Sequence, residues 1–175
     1  MAETKGLRKY SPLWITVTAL FTAMNVVMSS FGVPVPGGHF YLNDVIICVA
    51  AILLDPLSAF VVGGIGAFLG DLFFYPTPMF VSLVTHGLQA LLISLVVHRF
   101  WKKRPVPASI LGAVLGLVVT VTGYTLGRAF IYSTPAYAIA KFPFQILQTV
   151  VGSALALILC WPLGLVKLYR KRYGE

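Results

Sequence analysis

From Pro12 to Phe31 the chain reads PLWITVTALFTAMNVVMSSF without one charged side chain, and apolar runs of similar character recur as far as Val166. A helix that crosses a bilayer needs about 20 apolar residues, so runs of this length decide the class of protein. Of 175 residues 58% are hydrophobic and 10% charged, with a mean hydropathy of +0.90. A water-soluble chain carries about a quarter charged residues. The chain therefore reads as an integral membrane protein of one compact domain. Cys48 and Cys160 lie singly in apolar segments, without metal-ligand spacing or a disulfide framework. The first apolar run is too long for a signal-peptide core and reads as a retained first helix.

Dividing the chain at its proline, glycine and charged breaks gives six spans: 12–31, 42–54, 57–74, 79–98, 108–132 and 142–166. FGVPVPGGHF reads as a loop, Leu54-Asp55-Pro56 as a helix break, and Tyr75-Pro76-Thr77-Pro78 as a tight turn. The second span is short for a crossing. Basic residues then orient the bundle. Lys5, Arg8 and Lys9 precede span one, Arg99, Lys102, Lys103 and Arg104 follow span four, and Lys167, Arg170, Lys171 and Arg172 follow span six. With six spans the three clusters share one side, which the positive-inside rule makes cytoplasmic. The expected fold is an all-α six-transmembrane-helix bundle over residues 1–175, both termini cytoplasmic. The net charge of +8 is then a topology signal rather than a nucleic-acid footprint.

On that topology the polar residues gather in the outer half. His39, Tyr41, Asn43, Asp44, Asp71, Tyr75, Arg128, Tyr132, Lys141, Gln145 and Gln148 all fall there, with Arg128 a candidate partner for the two acids. Ionisable groups at such depth face a cavity or each other. Helical spacing aligns Ser82, His86 and Gln89 on span four and Thr120, Tyr124, Arg128 and Tyr132 on span five. It also aligns Gln145, Gln148, Thr149 and Gly152 on span six. Three polar stripes brought together would enclose a small site; the competing reading is interhelical hydrogen bonding. The expected substrate-binding set is His39, Tyr41, Asn43, Asp71, Tyr75, Ser82, His86, Gln89, Tyr124, Arg128, Lys141, Gln145 and Gln148. No catalytic or metal-ligating residue is expected. The GxxxG pairs at 66/70, 112/116 and 123/127 read as helix contacts, and none opens a phosphate loop. Span one carries Ala19 and Ala23 at i, i+4, a smooth stripe for another helix.

These features together resemble the substrate-binding S component of energy-coupling factor (ECF) vitamin transporters. The resemblance covers nearly the whole chain. Its specific marks are the AxxxA at Ala19–Ala23 and the Asn43-Asp44 start of helix two. To these are added the Asp55-Pro56-Leu57 turn and the GGIGxxLxDL pattern from Gly63 to Leu72. They place the chain near the riboflavin-transporter-like branch, most similar to proteins for hydroxymethylpyrimidine or vitamin B6. His86-Gly-Leu-Gln89 stands where that branch commonly has Lys-Gly-Leu-Glu. The resemblance implies a prokaryotic cell-membrane subunit that captures a micronutrient from outside. It would dock through Ala19 and Ala23 onto a transmembrane coupling subunit bearing two cytosolic ATPases. ATP is then hydrolysed by those partners, and this chain needs no cofactor of its own. Pantothenate and riboflavin remain alternative ligands. A stand-alone ion-coupled permease using Asp71 is a further alternative, against which no inverted repeat is visible. An intramembrane aspartyl protease would have to pair Asp44 with Asp71, but Leu69-Gly-Asp71 lacks the GxGD pattern.

Overall fold

A computed structural model describes residues 9–35 and 38–173; Lys5 and Arg8 of the first basic cluster lie outside the described residues. Ser11 caps the first helix, α1 (Pro12–Ser29), its hydroxyl accepting the Trp14 N–H at 3.1 Å. The segment expected as a loop instead pairs as an antiparallel hairpin, β1 (Gly32–Val35) with β2 (Gly38–Tyr41), Gly32 opposite Tyr41. The bundle is thus helical with one small β ribbon. Pro34 is tolerated because each strand of a two-stranded ribbon has an outer edge that needs no donor.

The second helix, α2 (Asn43–Leu53), has eleven residues and is buried along nearly its whole length, Ile47, Ala50 and Ala51 completely. Its shortness follows from that position: it is enclosed by other helices and has little lipid-facing surface to match to a bilayer. Asp55 caps α3 (Pro56–Phe74), accepting the Leu57 N–H at 3.1 Å and the Ser58 hydroxyl at 2.9 Å. The Trp14 indole N–H of α1 donates to the same carboxyl at 2.6 Å, and Lys9 Nζ lies 3.8 Å away. Burial alone would raise the Asp55 carboxyl, but the hydrogen bonds from Trp14, Ser58 and the backbone outweigh it and hold it below its ordinary value. A carboxyl lowered on folding stabilises above its unfolded pKa of about 3.9 and loses that contribution as pH falls through the folded value. Asp55→Asn should therefore flatten the pH dependence of melting temperature below about pH 4. An unchanged acid limb in a thermal-melt series would contradict it.

The remaining helices are α4 (Met79–Phe100), α5 (Pro105–Tyr132), α6 (Pro135–Cys160) and α7 (Leu165–Tyr173). Helices α1, α3, α4, α5 and α6 are long and apolar enough to cross a membrane, and α4 is the most enclosed. The last span differs from its expected limits of 142–166. It starts seven residues earlier because Thr134 caps it, accepting the Tyr137 N–H at 3.3 Å, and Pro135 occupies the first turn. Pro143 lies inside the helix. The chain then turns after Cys160, with Gly164 at φ +76°, so the last basic cluster rides on a separate helix. Span five likewise opens at Pro105 rather than Ala108.

The GxxxG pairs sit at helix contacts as read. A Cβ on Gly66 would lie 2.6 Å from Asn25 Nδ2 and one on Gly70 2.5 Å from Ser29 Oγ, so α1 crosses α3 where no side chain intervenes. Lys9, Asp55, Lys102 and Arg170 come together at one end of the bundle. The hairpin and the 75–78 turn lie at the other.

Candidate substrate cavity

At the hairpin end the helices enclose a cavity of about 240 Å³. The hairpin and six helices build it. The hairpin and the start of α2 contribute His39, Tyr41 and Asn43. The hairpin-side end of α3 and its turn contribute Asp71, Tyr75 and Pro78. His86 comes from α4, Tyr124, Arg128 and Tyr132 from α5, and Tyr137, Lys141, Gln145 and Gln148 from α6. Ser29 of α1 completes the wall.

Eleven of the thirteen residues expected from sequence thus line one cavity: His39, Tyr41, Asn43, Asp71, Tyr75, His86, Tyr124, Arg128, Lys141, Gln145 and Gln148. Ser82 and Gln89 do not line it. Both are completely buried behind it and hold lining residues in place. Ser82 donates to Asp71, in a short contact, and meets the Tyr124 hydroxyl at 2.6 Å. Gln89 Nε2 donates to Asp44 Oδ1 at 3.0 Å, while its Oε1 lies 2.7 Å from His86 Nδ1. Since Gln89 uses its amide N–H toward Asp44, its oxygen must accept, and His86 Nδ1 carries the proton. With that proton on Nδ1, an uncharged ring presents Nε2 as an acceptor. Thr120 and Thr149 of the predicted stripes return their hydroxyls to Gly116 and Gln145 carbonyls. The stripes therefore divide between lining and support.

Asp44, 0% exposed, anchors the inner end. It accepts Gln89 Nε2 at 3.0 Å and Gln148 Nε2 at 3.1 Å, with His86 Nδ1 at 3.8 Å. A Cβ on Gly152 would stand 2.5 Å from Asp44 Cβ, so only glycine lets α2 and α6 approach this closely. Gln148 also accepts the Tyr41 backbone N–H through Oε1 at 3.1 Å, and Lys141 Nζ donates to the His39 carbonyl at 2.8 Å. Two α6 side chains thus tie the hairpin over the cavity through its main chain.

Arg128 is 7% exposed. It donates from Nη2 to Gln145 Oε1 at 2.7 Å and lies 5.2 Å from the centre of the Tyr124 ring. The expected pairing of Arg128 with an acid does not occur: among the described residues no ion pair joins it to Asp44 or Asp71. A π-helical turn over Arg128–Tyr132 widens the last turn of α5, and Tyr124, Arg128 and Tyr132 all reach the cavity. Among the described residues, three buried polar atoms of the lining have no partner: Asn43 Oδ1, Arg128 Nη1 and Gln145 Nε2.

Sequence reasoning missed Ser29, Pro78 and Tyr137 as lining residues, and placed Tyr132 nearby without including it in the set. Ser29 ends the helix that looked featureless. Tyr137 sat in a segment read as a connection; Thr134-Pro135, a helix-start signal, would have placed it on the first turn of α6.

Outside the cavity, Ala19 and Ala23 are exposed on α1 and line an open apolar groove with Thr22, Val26, Val61 and Leu69.

A family model described as ECF-type riboflavin transporter, S component, matches residues 9–165. A protein of Pyrococcus woesei, known only as an uncharacterized protein in a gap 3′ region, is 31% identical over 157 residues, 87% of this chain and 97% of its own length. The thiamine precursor transporter HmpT of Lactococcus lactis subsp. cremoris is 32% identical over 164 residues, 91% of this chain and 89% of its own. A solved S component of a bacterial ECF transporter superposes with a TM-score of 0.71 at 17% identity. The match covers 86% of this chain and 95% of that one, a likeness of fold. With five membrane-length helices around a polar cavity, the chain belongs to the ECF-type riboflavin transporter S-component family.

Proposed function

We propose that this chain is the substrate-capture subunit of an ATP-driven vitamin importer and that it takes a small heteroaromatic thiamine precursor of the hydroxymethylpyrimidine kind. The observation that carries this reading is the cavity: buried, small, lined by tyrosines and His86, and holding three buried polar atoms without partners. Ligand pockets for drug-sized molecules run about 300–1,000 Å³. At about 240 Å³ the cavity suits one six-membered ring with short substituents better than the fused rings and sugar chain of riboflavin. Asn43 Oδ1 and His86 Nε2 supply acceptors for an exocyclic amine, and Gln145 Nε2 supplies a donor for a ring nitrogen or hydroxyl. The resemblance to HmpT, itself named for a thiamine precursor, points the same way.

The energy would come from partners. The basic end of the bundle faces the cytoplasm under the positive-inside rule, with both termini there and the cavity opening outward. The Ala19–Ala23 groove then docks on a transmembrane coupling subunit carrying two ATPases, and tilting of the bundle delivers the ligand inward. Asp44 and Asp71, the pair a protease would need, belong to separate hydrogen-bond networks.

Calorimetry and thermal melts of the purified chain against B vitamins and their precursors test the assignment. A hydroxymethylpyrimidine held at 100 times its dissociation constant should stabilise the protein by about 2.7 kcal/mol. Selective binding of riboflavin would overturn the choice of ligand. Gradient-driven accumulation by vesicles containing this chain alone would favour the permease and overturn the subunit reading.

A further inference from the structure

Beyond its size, the cavity is electrically lopsided. Its acids are already engaged: Asp44 by two carboxamides at the inner end, with His86 Nδ1 at 3.8 Å, and Asp71 by Ser82. Its cations lie toward the mouth. Along α6 from the hairpin end come Lys141, then Gln145, then Gln148, which reaches Asp44. Lys141 and Arg128 are 5% and 7% exposed, and neither has an acid within ion-pair distance among the described residues. Lys141 spends one donor on a carbonyl; Arg128 spends one guanidinium nitrogen on a carboxamide. Arg128 Nη1 and Gln145 Nε2, donors on side chains bonded to each other, are both buried and have no partner among the described residues. A buried guanidinium facing a cavity without a counter-charge is costly at membrane depth. Two neighbouring donors, one of them cationic, match the two oxygens of a carboxylate or phosphate.

We infer that the natural ligand carries an oxyanion, a carboxylate or a phosphate ester, which sits on Arg128 Nη1 and Gln145 Nε2 with Lys141 close by, while its uncharged ring meets Asn43 and His86. This rests on the proposed ring-binding function and adds a charge requirement to it. The neutral alcohol is then the weaker of two related ligands. Lys141 has a second consequence: its bond to the His39 carbonyl puts the same cation in contact with the hairpin and with the ligand's charged end, so loading the site and fixing the hairpin are linked.

The test is calorimetry on the full chain in lipid nanodiscs with four probes. These are 4-amino-5-hydroxymethyl-2-methylpyrimidine, its phosphate monoester, the corresponding 5-carboxylate, and pantothenate as an anion without a ring. At least one ring anion is expected to bind about tenfold or more tightly than the alcohol; the better of the two identifies the oxyanion. Arg128→Gln should collapse that preference to about one. Gln145→Glu, which keeps the shape and presents a carboxylate to Arg128, should also abolish it by occupying the guanidinium. Two different variants guard against a folding defect in either. Equal or tighter binding of the alcohol to the unaltered chain overturns the charge requirement and leaves the ring reading standing. Pantothenate binding without any ring compound overturns the ring reading and leaves the charge requirement standing. Failure of all four probes overturns both.

Discussion

Vitamin uptake is expected to fall to background when Ala19 and Ala23 are both replaced by leucine, while ligand binding by the purified chain stays within error of the unaltered protein. The two positions are exposed on α1 and line an apolar groove with almost no polar surface. Small residues at four-residue spacing let another helix approach closely in a membrane, where packing rather than water expulsion drives association. Each added isobutyl group would overfill such a contact at roughly 1–3 kcal/mol. Two of them would weaken docking by about one to four decades. Of α1 the cavity takes only Ser29, its last residue, and neither Ala19 nor Ala23 lines it, so the ligand should not sense the change. Met24→Leu is the control: it alters an exposed α1 side chain outside the groove and should transport normally. Undiminished uptake by the double variant at equal membrane abundance would refute α1 as the docking face.

The second large effect is at Asp44. Asp44→Ala should remove about 2–6 kcal/mol of stability and abolish ligand binding. The carboxyl is completely enclosed, and its loss strands two carboxamide donors, Gln89 Nε2 and Gln148 Nε2. Each buried donor left unsatisfied costs about 1–3 kcal/mol. Gln89 fixes the His86 ring and Gln148 holds the Tyr41 backbone, so both the wall and the hairpin lose their positioning. Asp44→Asn keeps the volume and one acceptor oxygen, and should fall between the two. Thermal unfolding in detergent orders the three proteins; an alanine variant that melts with the unaltered chain would show that the network contributes nothing.

Much of this site was legible in sequence because membrane helices are simple objects. Every polar side chain in an apolar run has to find a partner or a cavity, and the 3.6-residue period says which ones meet. Hence His86, Tyr124, Arg128, Gln145 and Gln148, which fall on polar stripes in the sequence, line one cavity. What periodicity cannot separate is a residue that faces the cavity from one a few ångströms behind it. Ser82 and Gln89 lie on the same α4 face as His86, yet they bond to other side chains rather than line the space. The hairpin was hidden for a different reason. Gly32–Val35 and Gly38–Tyr41 carry too many glycines and prolines to signal strands. They pair because α6 holds the returning strand. The early start of α6 was obscured because STPAYAIAKF reads as a connection, though the helix runs through it from Pro135 and past Pro143.

The fastening of that hairpin has a consequence for how such a protein can change its tastes. Lys141 and Gln148 grip main-chain atoms of residues 39 and 41, not their side chains. The mooring is therefore indifferent to the letters written on the ribbon. Substitutions at His39 or Tyr41 can redraw the mouth of the cavity while the ribbon stays tied in the same place. A surface built this way can explore new cargoes by single steps, without first surrendering its closure.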